Sequence, residues 1–473
     1  MQQNAAVPSY LASAKSNPTS NRAPWYKNTA PTYAGIFLWF VFWSNSLGSG
    51  TAGGILSAGI PVALGSVLVA ALLCHVGFYY APALFGRRTG LPLYIVGTST
   101  FGAVGGFLLP GLLMGLLQFG WLAVNTWGSA TALNVMFGFK AAEGGPNLGL
   151  YALMVIWGAA AVVTALKGIK YVAMLSTYLP LIPLAILLIL IGKTASGLGS
   201  FDAAAFSAAH VVEGGKAAMG SLAVFAFALT YIVGFFATAG AAGVDFGTNS
   251  RDKKDVAMGG LVGVAGAIFL TIGASILIVA GFYGTPAGKE LIAQGNVILN
   301  PMELMGLIFN DQIAKWLAFA LALTAFPSAC FCSLIAANSI RNSFPQVNPW
   351  LSCGIGCAVA IGLAISGVAG NLVPVFGLIG ASFGPICGAI TMEYILCKGR
   401  WSGPRAGVNP AGWVAWALGF VVGIQPNFAA YCGGFAIPAA PVAAFIVGAV
   451  VYALLSKAQS AVLPYPQAEE QAD

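Results

Sequence analysis

Three side chains with recognition chemistry, Gln118, Trp121 and Asn125, follow one another at spacings of three and four. That spacing places them on one face of an α-helix. Two further rings, Phe235 and Phe236, lie in a glycine-rich apolar stretch elsewhere in the chain. An amide offers paired donors and acceptors, and an aromatic face accepts another flat ring. The set suits a small uncharged heterocycle stacked against rings and read at its edge. The same stripe also suits plain hydrogen bonding between helices, and spacing alone leaves both readings open.

Other reactive groups are sparse in the apolar stretches. His75 stands alone in one of them, either as a proton relay or as a hydrogen-bonded packing residue. Asp245 and Glu393 fall near the ends of apolar stretches, where a salt bridge to a loop Arg or Lys is expected. The eight cysteines carry no accompanying His at ligand spacing, so Cys330 and Cys332, and Cys353 and Cys357, read as small packing residues and not as a metal site. No nucleophile stands beside a base in any visible motif, which argues against an enzyme.

The elements that must position these groups are membrane spans. Of the 473 residues 58% are hydrophobic and 7% charged, against roughly 25% charged in a soluble domain. Apolar runs recur near 34–57, 61–84, 104–137, 148–166, 170–192, 219–243, 257–283, 313–340, 350–369, 371–397, 411–425 and 434–456. About twelve helices in an all-α transmembrane fold follow. The first thirty residues are polar and carry Lys15, Arg22 and Lys27, so the first span is expected to direct insertion.

An even number of spans puts both termini on one side. With that side cytoplasmic, fifteen of the twenty basic residues fall inside, and only Lys140, Lys193, Lys216, Lys289 and Lys315 fall outside. The asymmetry predicts cytoplasmic termini in a plasma (inner) membrane. The net charge of +7 is spread singly or in pairs over these loops, which fits orientation and not nucleic-acid binding.

Two spans make poor regular helices. Residues 44–54 and 234–243 are dense in glycine and hydroxyl side chains, five spans apart. Interruptions at matching places in two halves mark inverted-repeat transporters, whose broken helices expose backbone groups at mid-depth. Glycines that merely let helices approach closely are the alternative.

With these residues in view the sequence resembles the nucleobase cation symporter family 1, which includes cytosine and purine permeases. The resemblance is carried by Arg88-Thr89-Gly90-Leu91-Pro92, Thr100-Phe101-Gly102 and Gln118-Phe119-Gly120-Trp121-Leu122. Val244-Asp245-Phe246, Gly380-Ala381-Ser382-Phe383-Gly384-Pro385 and Glu393-Tyr394 add to it. Cytosine permeases are the nearest group through Gln118 and Trp121.

The resemblance implies a LeuT-type five-plus-five inverted repeat with broken helices 1 and 6. Its parts would be a cytoplasmic tail at 1–30, repeats at 34–192 and 219–397, two added helices at 411–456 and a second cytoplasmic tail at 457–473. It implies a secondary transporter of a nucleobase, hydantoin or allantoin-type heterocycle, working by alternating access with sodium or a proton as coupling ion. Trp121 and Phe236 would sandwich the ring, with Gln118, Asn125, Thr238 and Asn338 at its edge. A sodium ion would sit among Phe42, Asn45, Ala329, Cys332 and Ser333, where Cys332 departs from a hydroxyl ligand and a thiol suits a hard cation poorly. An amino-acid permease of the same architecture is the alternative function.

Overall fold

Backbone polar groups in hydrocarbon have no water to bond, so apolar runs of this length close their hydrogen bonds within helices. The computed structural model describes residues 7–28, 43, 47, 50–141, 143–176, 178–211, 215–343 and 346–465. Among them nine helices are long and apolar enough to cross a membrane, with two shorter apolar helices beside them. In chain order these are span two (Ile60–Thr89), three (Thr98–Phe137), four (Leu148–Lys167), five (Leu181–Ser200), six (Ser221–Ala241), seven (Lys253–Gly284) and eight (Asp311–Ile340). Span nine (Pro349–Ile365), ten (Leu372–Leu396), eleven (Pro410–Cys432) and twelve (Ala440–Leu454) complete the set. Span one lies outside the described residues except Trp43 and Leu47, both helical and buried.

Three boundaries differ from expectation for readable reasons. The fourth helix continues to Ser176, past the start expected for span five. Span five then begins at Leu181, where Pro180 and Pro183 favour a helix start over a helix interior. Short helices Ala203–Ala209, Pro286–Ala293 and Pro301–Ile308 fill the loops, capped by Asp202, Thr285 and Asn300. They are too short and polar for a hydropathy window to show.

The two glycine clusters behave differently. In the first, Leu47 is helical, residues 50–53 form turns with φ of 68° at Gly50 and Gly53, and a 3-10 helix opens at Gly54, where φ is 51°. Residues 50–54 form a loop against Ala203–Ala209, at the end of the bundle where span two begins, and not at mid-depth. Glycine followed by a new helix is a turn signal, and here it acts as one. The remainder of that cluster, including Asn45, lies outside the described residues.

Span six is interrupted on either side of its glycine stretch. A π turn occupies Leu229–Val233, a regular helix runs Gly234–Ala241, and the helix breaks at Ala242 before Gly243–Gly247. The glycines themselves meet span two. A Cβ on Gly243 would lie 2.9 Å from the Tyr79 ring, and one on Gly240 would lie 2.8 Å from Phe78 Cβ. Both expected uses of glycine therefore occur in one span.

Candidate functional site

The stripe on span three forms where spans six and ten cross it. Trp121 lies 4.6 Å from Phe235 at 82° and 5.5 Å from Phe376 at 33°, between ring centroids. Its indole N–H donates to Thr238 Oγ1 at 3.3 Å. Phe235 meets Phe376 at 5.1 Å and Phe236 at 4.9 Å, and Tyr231 meets Phe376 at 5.0 Å. Gln118, one turn from Trp121, is buried, and its amide donates to the weak acceptor Met114 Sδ at 3.5 Å. A neutral aromatic surface thus adjoins one amide with bonding capacity to spare.

The structure brings Gln118, Trp121, Phe235, Phe236 and Thr238 together, and it adds Phe376 and Tyr231. Phe376 sits on span ten among other apolar residues with no spacing to single it out. Phe236 reaches Trp121 only through Phe235. A ring inserted between two others needs them about 7 Å apart. The half-buried Phe235 is therefore the side chain that must swing, because Phe236 and Phe376 are 2% and 0% exposed.

Asn125 is committed elsewhere. Its amide donates to Ala325 O at 3.1 Å, and its Oδ1 accepts from Trp157 Nε1 at 3.1 Å and Ser129 Oγ at 3.3 Å. It ties span three to spans four and eight. Asn338 is exposed on span eight, with no hydrogen bond to the ring cluster among the described residues.

Of the five cation residues, Phe42 and Asn45 lie outside the described residues. Ala329 and Ser333 are fully buried on span eight, and Ser333 Oγ donates to Ala329 O at 3.0 Å. That leaves a hydroxyl oxygen with lone pairs and a carbonyl beside the Cys332 thiol. Two hard donors suit sodium, and the sulfur does not. Among the described residues no cluster of His, Cys, Asp and Glu could hold a metal ion.

Two carboxylates organise the end of the bundle that carries Arg87 and Arg405. Glu393 is buried and accepts from Ser402 Oγ at 2.6 Å and Tyr452 Oη at 2.7 Å, with Arg405 Nη2 at 3.8 Å. The salt bridge expected of it is present. Asp245 instead accepts the Leu93 N–H at 2.9 Å, at the start of the short helix Leu93–Val96, and makes no salt bridge among the described residues. A free helix N–H satisfies a carboxylate as an ammonium would. Burial pushes the Asp245 carboxyl up to about 6, against the opposing pull of the Leu93 N–H.

An apolar groove of about 630 Å³ also opens between spans three, nine and ten, walled by Leu116, Phe119, Leu351, Ile355, Val359 and Leu378. It offers a polar ring nothing to bond and is not the heterocycle site.

Helices packed this way around crossing spans three and six define a multi-pass integral membrane protein with the LeuT-like transporter fold. Structures of Mhp1, a nucleobase-cation-symport-1 family transporter, share the fold. One is closed with bromovinylhydantoin bound (TM-score 0.65, 16% identity, covering 98% of this chain and 99% of that one). The other is inward facing (TM-score 0.65, 17% identity, covering 100% and 99%). A sodium-coupled sialic acid symporter is more distant (TM-score 0.55, 14% identity, covering 98% and 94%). Residues 18–445 match the family described as permease for cytosine/purines, uracil, thiamine, allantoin, and the chain belongs to that family. It is 25% identical to the cytosine permease of Escherichia coli O157:H7 over 441 residues, 89% of each chain. It is 22% identical to the allantoin permease of Bacillus subtilis (strain 168) over 374 residues, 74% of this chain and 72% of that one. It is a permease and not an enzyme.

Proposed function

We propose that this permease imports one small uncharged nucleobase-like heterocycle by cation symport, stacking it on Trp121 after Phe235 swings aside. The single observation that carries the reading is the Trp121, Phe235, Phe376 cluster closed by the Trp121–Thr238 hydrogen bond, with the Gln118 amide one turn away. Phe236 backs Phe235, Thr238 offers a hydroxyl once released from Trp121, and Asn125 positions span three. Micromolar affinity needs about 8 kcal/mol, so a base of about eight heavy atoms must gain roughly 1 kcal/mol per atom. Only near-complete enclosure achieves that, which makes closure part of the cycle.

Alternating access of the two repeats, 34–192 and 219–397, would carry the ligand across, with 411–456 outside the moving core. Family membership supports a coupling cation. A seat for sodium among Phe42, Asn45, Ala329, Cys332 and Ser333 would lack one hydroxyl, which keeps a proton in contention. The basic-residue asymmetry supports cytoplasmic termini in an inner or plasma membrane, with the bilayer and the substrate as partners and no nucleic acid.

The test is a thermal-stabilisation screen of the purified protein over cytosine, uracil, purines, allantoin and hydantoins, followed by uptake of the hits into proteoliposomes. Stabilisation by a heterocycle that disappears in Trp121→Ala is expected. Stabilisation by amino acids alone, unchanged in that variant, would favour an amino-acid permease instead.

A further inference from the structure

Span two is regular from Ile60 to Leu73 and then takes a π turn over Cys74–Tyr79. Span seven has its own π turn at Leu261–Gly266, immediately after Gly260. The two irregular turns face each other. A π turn shifts bonding from the i+4 to the i+5 partner, leaves a carbonyl without its usual donor, and occurs frequently at functional sites. His75 occupies this junction, about midway along span two.

The imidazole is 8% exposed, and its Nδ1 has no hydrogen-bond partner among the described residues. Tyr79 and Tyr80 lie 6.0 and 5.9 Å from it between ring centroids. Gly260 creates the slot, since a Cβ there would run into both His75 Nδ1 and the Tyr79 ring. A packing residue would have its polar atoms satisfied, and leaving one bare at this depth is costly.

Among the described residues no carboxylate on the elements packed here is left free to pair with His75. The ionisable groups on elements packed here are Cys74, Tyr79, Tyr80, Arg87 and Arg88 on span two, Lys253, Lys254, Asp255 and Tyr283 on span seven, Cys387, Glu393 and Tyr394 on span ten, and Tyr452 on span twelve. Asp255 is bound by Arg251 at 2.7 Å, and Glu393 is bound by Ser402, Tyr452 and Arg405. The facing stretch of span six, Gly234–Ala241, has no ionisable group. It does touch span two one turn from His75, where Gly240 meets Phe78, two residues beyond Thr238 of the ring cluster.

From this arrangement we infer that His75 is the proton-binding site of the transporter, its vacant Nδ1 taking the coupling proton. The inference rests on the transport function proposed above and assigns its coupling ion. The conformation described is the unloaded one. In the loaded state Nδ1 holds a proton taken from water on one side of the membrane, with a carbonyl freed by the π turns as acceptor. In the return step the proton passes to water on the other side, and no other bond changes. The Phe78–Gly240 contact links this site to the segment that carries Thr238.

The experiment uses the full chain in proteoliposomes, in sodium-free choline medium, with an inward pH gradient and labelled cytosine, uracil, allantoin and hydantoin as probes. Wild-type protein is expected to accumulate a probe and to acidify the lumen on probe addition. His75→Gln keeps the slot filled and is expected to lose pH-driven accumulation about tenfold, while probe-induced thermal stabilisation and probe exchange stay within about twofold. Gly260→Ala, which closes the slot, is expected to do the same. pH-driven accumulation in His75→Gln equal to wild type, or wild-type accumulation that follows sodium and ignores pH, would overturn the inference. A substrate-free readout separates the two ideas: in an Asp245→Asn background, which removes the carboxyl that titrates near 6, the tryptophan fluorescence should shift between about pH 5 and about pH 8, and that of His75→Gln in the same background should not. If no probe binds, the heterocycle reading fails, while loss of this shift in His75→Gln still supports the proton site and its persistence still overturns it.

Discussion

At the scale of single residues, the proposed site would divide the work of recognition between Trp121 and Gln118. Trp121→Ala removes a stacking face worth about 1–3 kcal/mol, so ligand affinity should fall about five- to a hundred-and-fifty-fold by isothermal titration. Gln118→Leu should leave stacking intact and flatten the preference among heterocycles that differ at their hydrogen-bonding edge, read as the spread of affinities over the screen. Asp245 gives a pH prediction. Its folded carboxyl titrates near 6 against an ordinary value of 3.8, so the folded state binds the proton more tightly than the unfolded one. Stability is then greatest below about pH 4 for this group and declines as pH rises to about 6. Asp245→Asn keeps an oxygen for the Leu93 N–H and should raise stability at neutral pH by at most about 3 kcal/mol, seen as a higher unfolding midpoint and a flatter profile from pH 4 to 6. The stripe of Gln118 and Trp121 was readable in sequence because helical spacing is a local property. Phe376 was not, because its place in the cluster comes from how span ten crosses span three. Asn125 shared the spacing of its neighbours, and only its hydrogen bonds to Ala325 and Trp157, on distant spans, separate its role from theirs.

At the scale of elements, the contact between spans two and six is built on absent side chains. Gly243→Val would drive a methyl into the Tyr79 ring and backbone, at 2.9 and 3.0 Å. Overpacking of this kind should cost about 1–3 kcal/mol, measured as a lowered unfolding midpoint. Gly362 on span nine faces open space, so Gly362→Ala should be neutral or slightly stabilising in the same assay. This contrast bears on the first cluster, of which the part that includes Asn45 lies outside the described residues. Composition marks where glycine is needed, but a left-handed turn and a close helix crossing need it alike, and only depth in the bundle tells them apart. Span boundaries were legible wherever apolar runs ended in charge, and shifted where Pro180 and Pro183 restarted a helix inside a continuous apolar run.

At the scale of the whole molecule, one end of the bundle is tied across by its loops and tails. Arg405 donates to Ser99 O at 2.8 Å and Ser460 O at 3.0 Å and approaches Glu393, so the loop before span eleven, the start of span three and the segment after span twelve share one side chain. The residues before span one cross the same end. Tyr10 donates to Ala103 O, Asn17 to Thr248 O at 3.0 Å, Arg22 to Arg87 O at 2.6 Å, and Asp255 accepts the Trp25 N–H at 3.1 Å. An epitope placed after Asp473 should be shielded from external protease in intact cells and cut once the membrane is opened, as cytoplasmic termini require. Cleavage in intact cells would reverse the orientation.

The tail that crosses this end has a consequence for how the protein is made. Trp25 must wait for Asp255, 230 residues further along the chain. At about 5–20 residues per second, a ribosome needs on the order of 10 to 50 seconds to supply that partner. Until then Trp25 lacks this partner, while Tyr10 and Arg22 already have theirs at Ala103 and Arg87. The Trp25–Asp255 tie therefore closes after those of Tyr10 and Arg22, a step available to any factor that meets the nascent chain before span seven arrives.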